Sequence, residues 1–410
     1  MADSDSAATL VPAEEDDGVT LPLPPLGVGS IGGLIGLGIL HAILTPFVIV
    51  ILPLRFNRRL SLGDQGICAA AYLPMSLATK LVLIPASKKP ASERIPSRAG
   101  ATVEKPSKMM QALLEYNKGR VTYERIALHS EDGAELGLHV TTPVGTDPST
   151  TYALVLLHGG GFWSGEALDD MHRDFLRNLG GGVVLAAPEY RLSAPGQWHR
   201  YPTQINDAMV AIRYVASKFE NVMIAGYSAG GTLAIHCALR SRDDEKIRNK
   251  IRHIFVGSPN THVNEDLSHP TVEGSISLTG LANSHPTELC DIAARDLWAP
   301  EGQRTAAPNP TDLRVPKQEG GYWFGDLPPM TVYRAVWDVS QKDGLDVHRR
   351  ANEDGSKCDL IDYDATHATA SLLWMNDLCT TVRRVAGLGG VGRAPMSWIY
   401  FRRWWREFFP

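Results

Sequence analysis

Short apolar runs recur along residues 105–390 and alternate with segments of helical periodicity. Two segments of alternating apolar and polar residues, 122–130 and 134–144, predict a β-hairpin that turns at Glu131–Gly133. Further strands are predicted at residues 153–158, 182–190, 221–227, 251–258, 330–338 and 358–364. Because these strands are mostly apolar and alternate with helices, the pattern indicates a largely parallel sheet covered on both faces.

Helical segments lie before and between these strands. They span residues 105–119, 169–180, 203–219, 229–242 and 370–387. Residues 260–329 form one large insertion between two of the predicted strands. We therefore predict a single α/β domain over residues 105–390 that carries this insertion.

The N-terminal part of the chain has a different pattern. Residues 1–25 are polar and acidic and predict a disordered tail. Residues 26–54 contain no charged side chain, and three arginines follow between positions 55 and 59. About 20 apolar residues cross a bilayer as a helix, so this run predicts a transmembrane anchor. A signal peptide would have a basic segment before its apolar core, whereas the segment here is acidic.

The residues around this apolar run leave the membrane arrangement open. Residues 55–104 form a juxtamembrane linker in which the apolar stretch 67–85 is interrupted by Pro74 and Lys80. That stretch either lies in the membrane interface or forms a short second span. The arginines place the following domain on the cytosolic side, and a second span would reverse this orientation. Glycine pairs spaced four residues apart within the first run favour self-association, namely Gly29/Gly33 and Gly32/Gly36.

The C-terminal tail, residues 391–410, combines aromatic residues with arginines. Its aromatic residues at helical spacing are Trp398, Phe401, Trp405 and Phe408. Such a segment either lies as a helix in the membrane interface or packs its aromatic side chains on the folded domain.

Composition and charge exclude several classes of partner and cofactor. The chain is 44% hydrophobic and 21% charged, which is typical of an ordinary folded protein. Its net charge of −5 argues against a nucleic-acid partner. The five cysteines form no CxxC pair, so neither a disulfide framework nor a zinc site is indicated. No metal, nucleotide or flavin site is predicted, and we expect a mechanism without a cofactor.

One motif that carries chemistry is GYSAG, residues 226–230, between a predicted strand and a predicted helix. A nucleophilic serine at such a junction stands above the sheet on a tight turn that requires flanking glycines. The helix that follows directs its N–H groups and positive end toward developing negative charge. This context identifies Ser228 as a candidate nucleophile.

A glycine run, HGGG at 158–161, follows an earlier strand and complements the serine motif. Acyl transfer requires preorganised N–H donors for a tetrahedral oxyanion, and adjacent glycines offer them without a side chain in the way. We expect the N–H groups of Gly160, Gly161 and Ala229 to form this oxyanion hole, with Gly159 shaping the loop.

A serine nucleophile needs a base and an orienting acid, which follow it in the order acid, then histidine. His367 lies after the last predicted strand and before the last helix, and this position selects it as the base. Asp338 lies at the end of the preceding strand, and Asp343 is the alternative acid five residues later. We favour Asp338, because a residue at a strand end is held more firmly.

Together these motifs, with Tyr190-Arg191-Leu192, resemble the hormone-sensitive-lipase-like group of α/β-hydrolases. The resemblance implies an α/β-hydrolase fold and a carboxylesterase with the triad Ser228, Asp338 and His367. It also implies that Asp207 is structural, and that the 260–329 insertion and residues near 105–120 form a cap over the pocket.

The N-terminal anchor makes the chain similar to the membrane-bound deacetylases of that group. This similarity implies a single-pass protein of the endoplasmic reticulum membrane that meets the lipid bilayer and a small hydrophobic ester, sterol-, terpenoid- or polyketide-like. Two alternatives remain, a catalytically silent ligand-binding protein of the same fold and an amidase. The presence of a residue for every triad position favours an enzyme.

Overall fold

The computed structural model describes most of the region between residues 117 and 389. The described residues are 85, 88–90, 93, 96, 110, 111, 114, 115, 117–168, 172, 182–194, 196–261, 298, 322–336, 338, 340–365 and 367–389. The predicted tail, anchor and aromatic C-terminus lie outside them, as do nearly all of 67–85 and most of the 260–329 insertion. Among the described residues, no helix has both the length and the apolar composition needed to cross a membrane.

Eight strands form one sheet in the spatial order β1-β2-β4-β3-β5-β6-β7-β8. The strands are β1 (Val121–His129), β2 (Glu135–Pro143), β3 (Tyr152–Leu157), β4 (Val183–Pro188), β5 (Asn221–Tyr227), β6 (Ile251–Gly257), β7 (Met330–Ala335) and β8 (Cys358–Tyr363). The first pair is the predicted antiparallel hairpin, and β2 also pairs antiparallel with β4. From β4 to β8 every pairing is parallel, so the predicted strands and their largely parallel arrangement are confirmed.

Both faces of the sheet are buried, as the apolar strands predicted. Along β3, the side chains of Val155 and Leu157 join one apolar cluster, whereas Leu154 and Leu156 join the other. This alternation follows from the two-residue period of a strand. Each face therefore needs its own cover of helices.

Four helices lie within the described residues. They are α1 (Thr203–Lys218), α2 (Ala229–Arg242), α3 (Gln341–Glu353) and α4 (His367–Val385). Buried side chains of α1, α2 and α3 join the first cluster, and those of α4 join the second, so the helices cover opposite faces.

Helix α3 was missing from the sequence prediction. Its thirteen residues, QKDGLDVHRRANE, are strongly polar, and only a narrow face with Val347 and Ala351 enters the core. Leu345 remains 40% exposed. So few apolar positions give a weak periodic signal, which explains the omission.

The parallel strands end at one edge of the sheet, and this edge brings the sequence motifs together. Because Leu157 of β3 pairs in register with Gly226 of β5, the HGGG run lies beside the GYSAG turn. The segments with Asp338 and His367 follow β7 and β8 at the same edge. Open α/β sheets bind ligands at the carboxyl ends of their strands.

Candidate active site

Ser228 occupies a sharp turn between β5 and α2. Its backbone has φ 56° and ψ −124°, a conformation that costs a residue with a side chain about 1–3 kcal/mol. The surrounding structure holds this turn, since the Ser228 N–H donates to the Gly257 carbonyl at 2.8 Å. Ser228 immediately precedes the first residue of α2, so its side chain is beside the positive end of the helix.

The turn is possible because Gly226 and Gly230, two positions before and after Ser228, have no side chain. A Cβ atom at Gly230 would overlap the carbonyl groups of Leu157 and His158, which close in from β3. The same close approach places Gly159 against the turn, where a Cβ atom would lie 3.5 Å from that of Ser228. The two glycine motifs thus form a single site.

Hydrogen bonds to the carbonyl groups of the glycine loop after β3 hold its peptide groups in place. The Gly159 carbonyl accepts a hydrogen bond from the His158 Nδ1 at 2.7 Å. The Gly160 carbonyl accepts from the N–H of Ser164 at 3.0 Å and from its hydroxyl at 2.9 Å. In a trans peptide the next N–H points opposite the carbonyl, so these bonds orient the N–H groups of Gly160 and Gly161. Gly160 adopts φ 111°, which is open to glycine alone.

His158 is itself held by Tyr190. The two rings stack with centroids 4.2 Å apart, and the phenol donates to the His158 carbonyl at 2.7 Å. Burial lowers the pKa of His158 to about 4, so its ring is neutral at pH 7. A neutral ring with its proton on Nδ1 is the form that can donate to Gly159. His158 therefore has a structural role in shaping the loop.

Behind Tyr190, a buried ion pair anchors the segment that supports the loop. Arg191 donates to both carboxylate oxygens of Asp207, at 2.9 and 2.7 Å, and to Asp132 at 2.7 Å. The Arg191 N–H also donates to Asp207 at 3.0 Å. These contacts agree with the structural role that the resemblance implied for Asp207.

Replacing Asp207 with alanine is expected to lower the free energy of unfolding by about 3–5 kcal/mol, because the Arg191 guanidinium would lose its main buried partner. The matched control is Glu353→Ala, which breaks an exposed pair with Arg349. That change should cost less than about 1 kcal/mol. Urea unfolding followed by circular dichroism measures both, and equal losses would contradict the structural role of Asp207.

The structure brings His367 and Asp338 together. The His367 Nδ1 hydrogen-bonds the Asp338 Oδ2, and Asp338 is buried. The Ser340 N–H donates to the other carboxylate oxygen at 3.1 Å and helps to orient it. Burial alone would lower the pKa of His367, but the charge and hydrogen bond of Asp338 outweigh it, so the net shift is upward.

Asp343, the alternative acid, lies elsewhere. It belongs to the first turn of α3 and accepts a hydrogen bond from the Thr261 N–H at 3.2 Å. Between the two aspartates, only Asp338 hydrogen-bonds the His367 ring within the described part of the chain.

Tyr227 brings the serine turn close to His367. The centroid of the His367 ring is 5.2 Å from that of Tyr227, the residue before the serine. No hydrogen bond joins the Ser228 hydroxyl to the imidazole in the part of the chain that the structure describes. Catalytic hydrogen bonds of this type often tighten only around the substrate.

Sequence reasoning missed two aromatic residues at the site. Trp298, from the insertion, stacks on Phe162 of the glycine loop with ring centroids 3.9 Å apart. Tyr227, the variable residue of the GYSAG motif, contacts His367. No local pattern marks either contact, because each joins residues far apart in the chain.

Comparison with known proteins supports this fold. A sequence model described as the alpha/beta hydrolase fold matches residues 154–370, which is more than half of the chain. Brefeldin A esterase, described as a bacterial homologue of human hormone sensitive lipase, has a similar structure. The TM-score is 0.55 at 20% identity, and the alignment covers 80% of this chain and 92% of that protein.

Curated relatives match shorter stretches. Esterase LipI of Mycobacterium tuberculosis is 29% identical over 215 residues, which cover 50% of this chain and 60% of that protein. Steryl acetyl hydrolase 1 of Saccharomyces cerevisiae is 33% identical over 106 residues, 24% of each chain. The matched region thus spans less than two thirds of these relatives. The sequence match and the shared architecture establish that the chain belongs to the α/β hydrolase fold family.

Proposed function

We propose that the protein is a carboxylic ester hydrolase that works through an acyl-enzyme formed on Ser228. The observation that carries the proposal is the convergence of three groups at one sheet edge. These are a serine on a strained turn, a loop with oriented N–H groups, and a His367–Asp338 pair. This constellation fits acyl transfer.

In the first step, His367 takes the hydroxyl proton as the Ser228 oxygen attacks the ester carbonyl carbon. The carbonyl oxygen becomes an oxyanion that accepts hydrogen bonds from the N–H groups of Gly160, Gly161 and Ala229. Because the Gly159 and Gly160 carbonyls are already fixed, these donors need little reorganisation during the reaction. The intermediate collapses, and the alcohol leaves with the proton from His367.

In the second step, His367 takes a proton from water, which attacks the acyl carbon. The new intermediate collapses with the C–O bond to Ser228 breaking, and the serine oxygen recovers its proton from His367. Asp338 remains ionised and stabilises the imidazolium in both steps. The products are a carboxylic acid and an alcohol.

We propose a hydrophobic ester with a small acyl group, such as an acetylated lipid-like alcohol, as the substrate. The apolar run at 26–54 supports a membrane anchor, which would hold the site where apolar esters concentrate. Similarity to a protein named steryl acetyl hydrolase supports the same substrate class.

Hydrolysis of p-nitrophenyl esters from acetyl to decanoyl by the full chain in detergent tests this proposal. We expect kcat/KM to be highest for acetyl and butyryl esters and to fall steeply for longer acyl groups. A preference for long chains would contradict the small acyl pocket. Folded protein without activity on any ester, or with activity on amides alone, would contradict the ester hydrolase.

Activity should fall at acidic pH because a protonated His367 cannot accept the Ser228 proton. The pKa of His367 is raised above its ordinary 6.5, so we expect the acid limb of kcat/KM above pH 6.5. In Asp338→Asn the imidazole stays partly buried but loses the charge that favours protonation, so the limb should move to lower pH. Rates between about pH 5 and pH 9 measure this, and an unchanged limb would contradict the pairing.

A further inference from the structure

Tyr227, the residue before the candidate nucleophile, links the serine turn to the candidate base. Its phenol donates a hydrogen bond to the His367 backbone carbonyl at 2.6 Å. His367 is the first residue of α4, so this bond is made at the N-terminal end of the helix. The two residues are 140 positions apart in the chain, and this contact joins β5 directly to α4.

The ring of Tyr227 lies in a slot that fixes its direction. On one side, Trp374 of α4 lies with its ring centroid 5.2 Å from that of Tyr227. On another, Gly257 of β6 approaches so closely that a Cβ atom there would overlap the tyrosine ring. Burial, together with the Asp338 charge, raises the pKa of Tyr227, so the phenol keeps the proton that it donates.

His367 is thus held at two points. Asp338 binds its ring at Nδ1, and Tyr227 binds its backbone carbonyl. An imidazole ring has two rotatable side-chain bonds, so fixing the backbone and one ring nitrogen leaves it little freedom. The second ring nitrogen then has a defined position relative to Ser228.

We propose that Tyr227 is a positioning residue that sets the distance between the His367 imidazole and the Ser228 hydroxyl. This inference rests on the proposed roles of Ser228 and His367. Since Tyr227 is covalently joined to the serine, any movement of the turn carries the phenol with it. One side chain therefore keeps the nucleophile and the base at a fixed distance from each other.

The test is Tyr227→Phe, which removes only the hydroxyl and keeps the ring between Gly257 and Trp374. The matched control is Tyr363→Phe, because the Tyr363 phenol donates to Asp377, also on α4, at 3.0 Å. Both variants lose one phenol bond to the same helix, but only the first touches His367. We expect Tyr227→Phe to lower kcat for p-nitrophenyl acetate about 10- to 100-fold with KM unchanged. Tyr363→Phe should retain the kcat of the original protein.

Labelling of Ser228 by a fluorophosphonate gives a second readout, since it needs the base but no turnover. Its rate should fall with kcat in Tyr227→Phe alone. Full activity in that variant, or equal losses of kcat in both variants, would overturn the inference. If Ser228→Ala is inactive while Tyr227→Phe is unaffected, only the positioning role fails. Activity retained in Ser228→Ala would instead remove the proposed function.

Discussion

Ser228→Ala is expected to lower kcat for p-nitrophenyl acetate about a million-fold, on the scale of serine hydrolases that lose their nucleophile. The loss is large because alanine removes the atom that forms the acyl-enzyme. KM should change little, since binding of the ester does not require the hydroxyl. The fold should survive, because alanine fits the space of serine.

Ser241→Ala is the matched control for this change. Ser241 is also buried, but it lies near the opposite end of α2, where its hydroxyl contacts the Met209 sulfur at 3.8 Å. Its loss should leave kcat unchanged. Rapid quenching with p-nitrophenyl acetate, followed by mass spectrometry, should detect one acetyl group on Ser228 in the original protein. An acetyl group on another residue, or activity in Ser228→Ala, would contradict the mechanism.

Asp338→Asn is expected to lower kcat about 10⁴-fold, the scale seen when the orienting acid of a serine hydrolase loses its charge. An amide can present its NH₂ group to the Nδ1 of His367, which favours the ring tautomer that cannot accept the Ser228 proton. The imidazolium formed during catalysis would also lose its negative partner. The effect should therefore appear in kcat, with substrate binding retained.

Asp343→Asn separates this assignment from its alternative. Asp343 accepts a hydrogen bond from the Thr261 backbone, and an amide oxygen can replace that acceptor. We expect kcat of this variant to stay within about threefold of the original, less than 1 kcal/mol in activation free energy. Measuring kcat of both variants under the same conditions shows which aspartate is the orienting acid. A greater loss in Asp343→Asn would show that the acid was assigned wrongly.

Most of the fold was predictable because its strands carry an unambiguous pattern. A strand buried on both faces, such as VVLAAP in β4, has no position where a polar residue is tolerated, so it stands out against its surroundings. Helix α3 shows the opposite case. It needs only a narrow apolar face, and its polar surface hides that face in the sequence.

The site was predictable wherever backbone geometry restricts the residue type. Gly226 and Gly230 around Ser228 are required by close packing, so their spacing is visible in one dimension. The aspartate that pairs with His367 was harder to predict, because Asp338 and Asp343 both follow the same strand. Helix α3 begins between the two aspartates, at Gln341, and this places Asp343 next to Thr261 instead of His367.

Local periodicity and glycine spacing encode the sheet, the position of the serine turn and the glycine loop, so the sequence is enough to predict them. The aspartate that meets His367, and the contacts that Tyr227 and Trp298 make near the site, depend on tertiary structure. These contacts join residues from different strands and from the insertion. Their geometry depends on how elements pack at the sheet edge, and no short stretch of chain contains that information.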